Sequence, residues 1–177
     1  IMNLKQYDLE PDYSNLFKVA GQDSKEIILA VQYVNSTLEL GTIGQMYNNG
    51  DGGWSSIVPT QNLVDTYEMA DGLTKEESGS YDPNHPFAGR DPRMAMTIIY
   101  PGMDWNGTVV NTLDKTINGK DNANYPPSAN NASKTALTWR KYLDEQYANG
   151  IWNTNACPIV IRYAEVLLTY AEAVNEL

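Results

Sequence analysis

The sequence is poor in the residues that most often build catalytic and metal centres. It holds one cysteine, Cys157, and one histidine, His85, far apart among 177 residues. A lone cysteine excludes an internal disulfide. One His and one Cys make neither a zinc set nor a Cys/His dyad. Cys157 precedes Pro158 and reads as a small buried apolar residue. Basic residues number 12 against 22 acidic ones, for a net charge of −10, and no Lys/Arg cluster breaks that balance. Such a chain repels phosphate, which argues against a nucleic-acid partner and an anionic membrane surface. No run of about 18 apolar residues occurs, so no segment reads as a membrane-spanning helix. Residues 1–5, Ile-Met-Asn-Leu-Lys, lack the charged leader and apolar stretch of a signal peptide. Any leader or lipid anchor is expected outside this chain.

Two Phe stand against twelve Tyr and four Trp, and charged residues make up only 19%. Polar character comes instead from Asn, Ser, Thr, Gly and Tyr. Aromatics with a polar handle suit surfaces that are half wet and half apolar, as sugars are. The length suits one domain with a core.

Along the chain, regular elements are short and separated by loops. Asp12-Tyr13-Ser14 is placed to cap a helical turn, with Leu16, Phe17 and Val19 turned inward. Residues 26–34 form a nearly continuous apolar, β-branched run and predict a buried strand. Asn49-Gly50-Asp51-Gly52-Gly53 cannot be a regular element, and Trp54 follows directly. Residues 59–68 predict a short helix with Thr60 as N-cap and Leu63, Val64 and Tyr67 on one face. The proline-rich stretch 81–93 reads as irregular, with Arg90, Asp91 and Arg93 in a local charge network. Residues 94–100 predict a strand, and Asn106-Gly107 predicts a hairpin between 103–105 and 108–110. Residues 111–131, including Pro126-Pro127, read as loop, and some order returns over 133–143.

The C-terminal stretch is the clearest element. Tyr163, Val166, Leu167, Tyr170, Ala171, Val174 and Leu177 recur at helical spacing, and Glu165, Thr169, Glu172 and Glu176 line the opposite face. Pro158 suits the first turn of such a helix. No other segment offers a helix long enough to cover this stripe. Its packing partner is therefore expected outside these residues, as in a fragment of a larger binding protein.

Five stretches, in this order, resemble the SusD/RagB family of nutrient-binding outer-membrane lipoproteins of Bacteroidetes. They are Tyr7-Asp8-Leu9 with Leu16-Phe17; Glu26-Ile27-Ile28 with Gln32-Tyr33; Pro59-Thr60-Gln61-Asn62-Leu63-Val64-Asp65 with Asp71-Gly72; Arg90-Asp91-Pro92-Arg93 with Ile98-Ile99-Tyr100; and Ile161-Arg162-Tyr163-Ala164-Glu165 running into Tyr170-Ala171-Glu172-Ala173. The resemblance implies a mainly α fold with long irregular loops and a few short strands, the loop-rich half of a protein built on tetratricopeptide-like helix pairs. Residues 1–157 would form the loop-rich ligand-binding region. Residues 158–177 would start a scaffold hairpin of the same domain. The implied role is glycan binding at the cell surface, without catalysis and without a cofactor, above a TonB-dependent transporter of the SusC type. Membrane association would come only through a lipid anchor absent from this chain. The alternatives are a peptide or other nutrient ligand, and, further off, a polysaccharide-degrading enzyme.

Glycan recognition stacks rings on the apolar faces of sugars and satisfies hydroxyls with amides and carboxylates. That chemistry nominates Trp54, Tyr47 and Trp105 as platforms, with Asn48, Asn49 and Asp51 as polar neighbours, all in loops where binding residues concentrate. The competing reading is that each aromatic pins its own loop to the core. Trp139 and Trp152 adjoin regular elements and read as structural. Arg162 and Glu165 read as a helix-surface pair or a helix-to-loop bridge. Glu165 and Glu172 sit on a polar helix face and do not form a hydrolytic carboxylate pair. The loop at Asp51-Gly52 is rich in oxygen ligands but lacks the spacing of a calcium loop.

Overall fold

The structure, a computed structural model, describes residues 1–34, 40–126, 130–145 and 150–177; Pro127, expected in a loop, lies outside them. The described helices are α1 (Tyr13–Leu16), α2 (Gln61–Thr66), α3 (Pro92–Thr97) and α4 (Tyr163–Asn175). The strands are β1 (Ile27–Ala30), β2 (Ile98–Ile99), β3 (Asp104–Trp105), β4 (Thr108–Val109), β5 (Thr116–Ile117), β6 (Lys120–Asp121), β7 (Thr138–Trp139) and β8 (Ile159–Arg162). They pair antiparallel in twos: β1 with β8, β2 with β7, β3 with β4 and β5 with β6. No helix among the described residues is long and apolar enough to cross a membrane.

The short helices begin where capping chemistry places them. Asp12 accepts from the N–H groups of Ser14 and Asn15 ahead of α1. Thr60 Oγ1 accepts from Leu63 N at 3.3 Å ahead of α2. Asp91 accepts from Arg93 N at 2.8 Å, with Pro92 in the first turn of α3. Each cap satisfies a backbone donor that the helix itself cannot.

Helix α3 corrects the strand expected over 94–100. The β-branched Ile98 and Ile99 do form a strand, but Asp91-Pro92 starts a helix first, and Met94, Ala95 and Met96 sustain it. The two-residue β2 then joins the two apolar clusters of the core. Ile98 packs with Val64, Met94 and Leu137, and Ile99 with Ile43, Tyr47, Trp105 and Leu143. Successive strand residues face opposite ways, so one short strand serves both clusters. Trp139 lies in β7 opposite Ile98, the structural placement expected of it.

The run at 26–34 is not buried as expected. No residue of β1 is buried, Leu29 is half exposed, and the strand pairs only with β8 through an irregular register. Pro158 is likewise not in a first helical turn; it precedes β8, and α4 starts at Tyr163. Arg162 bridges away from α4, donating to Glu26 Oε1 at 2.8 Å, while Glu26 Oε2 accepts from Glu10 N at 2.8 Å. No residue of α4 is buried; Tyr7 stacks on Tyr163 at its start, but Tyr170 and Val174 are more than half exposed, so the described segments leave the later part of its apolar stripe uncovered.

Arg90 does not join Asp91 and Arg93 as expected. It is buried and donates to the carbonyls of Val64, Tyr67 and Pro86 at 2.8, 2.6 and 3.1 Å. The Asp91–Arg93 pair stands apart on the surface side, and Arg93 holds the Asp91 carboxyl below its usual range.

Lys141 illustrates a cation held at a cost. Its Nζ lies 4.0 Å from the Phe17 ring centroid, and the Arg162 guanidinium lies 5.4 Å from the same ring. Burial, and then repulsion from Arg162, lower the Lys141 pKa. A lowered lysine pKa means that the folded state gives up the proton more readily than the unfolded state. The penalty is therefore full below the folded pKa and fades as pH rises toward the ordinary lysine value of about 10.4. Lys141→Met keeps the stem and removes the charge. At pH 7 it is expected to raise the melting temperature slightly, by the margin of the removed charge penalty over the lost attraction to the Phe17 ring. The gain should shrink by pH 10. Calorimetric melts at both pH values check this, and a gain that grew with pH would contradict it.

Candidate glycan-contacting loop

Of the candidate residues, Tyr47, Asn48, Asn49, Asp51 and Trp54 lie on one folded-back loop, and Trp105 lies on β3 against it. A 3₁₀ turn at Gly41–Gln45 leads into Met46, Tyr47 and a second turn at Asn49–Asp51. Asn48 closes that second turn twice over. Its Oδ1 accepts from Asp51 N at 2.9 Å, and its Nδ2 donates to Asp51 Oδ2 at 2.6 Å. Gly52, at φ 85°, reverses the chain with no atom in the way of a side chain. The return limb is then zipped to the outgoing one. Gly53 N donates to Asn48 O, Trp54 N to Gly44 O, Ser55 N to Tyr47 O and Ser56 N to Gln45 O, at 2.9, 3.2, 3.0 and 2.8 Å.

Distant segments anchor this loop at several points. Tyr47 Oη donates to Asp144 O at 2.8 Å and accepts from Asp144 N at 2.9 Å. Trp105 Nε1 donates to Asp51 Oδ2 at 2.8 Å. Asn49 Nδ2 donates to Ala123 O at 2.7 Å, and Gly50 N donates to Asn124 Oδ1 at 2.8 Å. Burial pushes the Asp51 pKa up, against the hydrogen bonds from Trp105 and Asn48, which pull it down.

The expected platforms therefore separate into two kinds. Tyr47 and Trp105 are buried at 4% and 3% exposure, so neither presents a ring face to a ligand. Tyr47 pins the loop to the core, and Trp105 reaches the site only through its N–H and the wall it gives to a cleft. Trp54 is half exposed and packs on Trp152, with ring centroids 4.7 Å apart and planes at 56°. Trp152 takes the structural role expected of it, as the support beside Trp54. Its ring lies over Gly44, where a Cβ would come within 2.3 Å of the indole. Glycine at 44 thus lets the ring settle on the backbone, and Trp54 closes on it from beside.

Next to the loop, a cleft of about 190 Å³ opens between Asn48–Asp51, the β3–β4 hairpin and Asn124. The hairpin is the one expected at Asn106-Gly107, whose φ values of 54° and 71° fit the two-residue turn. Asn106, Thr108 and Asn124 line the cleft but were not singled out from the sequence. Asn124 follows a second Asn-Gly hairpin, Asn118-Gly119 between β5 and β6, within a stretch that reads as loop. No group of three or more His, Cys, Asp or Glu side chains gathers into a metal-holding set among the described residues.

Comparison with known proteins decides the family. The model of the SusD family matches residues 25–177. The chain belongs to the SusD family. Among solved structures, it is 32% identical to a SusD-like carbohydrate-binding protein from Bacteroides fragilis NCTC 9343, with a TM-score of 0.82 over 97% of this chain and 34% of that one. A second SusD-like protein from the same organism is 25% identical, with a TM-score of 0.64 over 94% of this chain and 36% of the other. The present chain thus spans about a third of the length of these relatives. No curated protein matches it. The loop-rich architecture with few helices accords with a SusD-like fold over this span.

Proposed function

We propose that this chain carries a glycan-contacting surface of a cell-surface nutrient-binding protein. The observation that carries the reading is the exposed Trp54, backed by Trp152 and set on a loop rich in side-chain amides. An indole held from behind offers one apolar face to a sugar ring at little entropic cost, because its rotamer is already fixed. Asn49 and Asp51 stand within the same loop to meet hydroxyls, and Asn48, buried with both amide atoms on Asp51, holds the turn that carries them. The relative whose printed description is a carbohydrate-binding protein supports the same ligand class. Binding without chemistry, delivery to a SusC-like TonB-dependent transporter, attachment to the outer membrane by a lipid anchor and a tetratricopeptide-like scaffold complete the reading. In it, residues 1–157 are the ligand-binding region and 158–177 open a scaffold hairpin.

Calorimetry of the intact protein against panels of oligosaccharides and peptides tests this. Trp54→Ala is expected to weaken glycan binding at least tenfold, equivalent to about 1.4 kcal/mol, with little change in melting temperature. Binding to the peptide panel alone would overturn the ligand class. Unchanged glycan affinity in the variant would remove Trp54 from the site.

A further inference from the structure

The cleft beside the loop has a chemistry of its own. Its volume of about 190 Å³ is on the order of six water volumes, room for one sugar ring. Its polar lining mixes donors and acceptors. Asn106 and Thr108 have no hydrogen-bond partner for their side chains among the described residues. Asn124 uses its Oδ1 on Gly50, which leaves its Nδ2 to donate. Asp51 uses Oδ2 on Trp105 and Asn48, which leaves Oδ1 to accept. Val109, Val110 and Ile117 supply apolar wall. Alternating donors, acceptors and C–H surface are what a ring of vicinal hydroxyls requires.

The charge of the cleft is equally specific. Among the described residues that line it, Asp51 alone is charged and none is Lys or Arg. The nearby Arg140 guanidinium, 5.9 Å from the Trp105 ring, is committed to Glu145 Oε1 and Ala95 O at 2.8 and 2.9 Å. A carboxylate or sulfate entering the cleft would face a half-buried carboxylate that no Lys or Arg among the described lining residues offsets. Like charges in such a place repel strongly, and the net charge of −10 adds to the effect. We propose that this cleft seats a single uncharged sugar ring, with Asp51 accepting one of its hydroxyls, and that it rejects uronate and sulfated sugars.

This inference rests on the glycan-binding reading above, and two variants separate it from that reading. The probes are neutral gluco-, manno- and galacto-oligosaccharides, oligogalacturonate and a sulfated galactan oligosaccharide, each titrated calorimetrically into the intact protein. Thr108 is exposed on β4, so Thr108→Val removes a hydroxyl with little structural consequence. It is expected to weaken the best neutral ligand at least threefold with an unchanged melting temperature. Asp51→Asn is expected to narrow the preference for neutral over anionic glycans at least tenfold. An anionic probe that binds the wild type as tightly as the neutral ones overturns the proposal, as does an unchanged affinity in Thr108→Val. Should those results appear while Trp54→Ala weakens glycan binding at least tenfold, the cleft assignment fails and the glycan-binding reading stands. No binding of any glycan by the wild type removes both.

Discussion

Arg90→Met is expected to destabilise the protein by about 3 kcal/mol. Arg90 is buried at 7% exposure and forms no ion pair among the described residues, although Asp65 lies near enough to feel its charge. Its charge is answered by carbonyls: Val64 and Tyr67 at the end of α2, and Pro86 from the proline-rich stretch. The Tyr81 ring lies 6.0 Å away and adds a weaker attraction. One residue thus closes the C-terminal end of a six-residue helix that is too short to be stable alone. It also ties that helix to the segment that leads into α3. Methionine keeps the stem's bulk but leaves these acceptors without their donor. Val64 O retains only the bond from Tyr67 N at 3.2 Å. Arg90→Lys should recover only part of the loss, because an ammonium cannot span three carbonyls as a planar fork does. Urea unfolding of the intact protein checks both variants. A midpoint for Arg90→Met within error of the wild type would show that the buried guanidinium is dispensable.

Arg90 also shows what could and could not be read from the sequence. Local signals were legible. Thr60 caps α2 and Asn106-Gly107 turns a hairpin because each effect is decided within a few residues. Asn118-Gly119 carries the same dipeptide signal, but its flanking strands are exposed and two residues long, too short for an apolar alternation to show. The partners of charged and aromatic side chains were the hidden part. Arg162 reaches Glu26 across 136 residues, and Trp105 reaches Asp51 across 54. Such pairings depend on how loops settle on the core, and no spacing rule encodes them. The same holds within the candidate site. Trp54, Tyr47 and Trp105 are all loop aromatics in the sequence, yet only packing makes one a surface and the other two anchors. Trp152 joined Trp54 because Gly44 leaves room for its ring, a complementarity visible only in three dimensions.

Gly53→Ala should reduce stability by about 2–4 kcal/mol and remove glycan binding with it. A Cβ at this position would lie 2.3 Å from Tyr47 O and 2.5 Å from Tyr47 Cβ. Both obstacles are held in place. Tyr47 O accepts from Ser55 N, and the Tyr47 side chain is buried and tied to Asp144. No change of side-chain rotamer relieves a clash with a fixed backbone carbonyl, so the two limbs of the loop must part. Parting them breaks the bonds that orient Trp54, the next residue along. Two neighbouring glycines serve as controls. A Cβ at Gly52 meets nothing, so Gly52→Ala should lose only about 1 kcal/mol, from its positive φ. At Gly44 the clash is with the Trp152 ring, a side chain that can swing aside. Gly44→Ala should therefore spare stability more than Gly53→Ala does, yet still weaken glycan binding by dislodging the support behind Trp54. Melting temperature and calorimetric affinity, measured on all three variants, separate these effects. If Gly53→Ala melts within a degree of the wild type, the limbs are not packed as described. If Gly44→Ala binds glycan normally, Trp152 is no part of the platform.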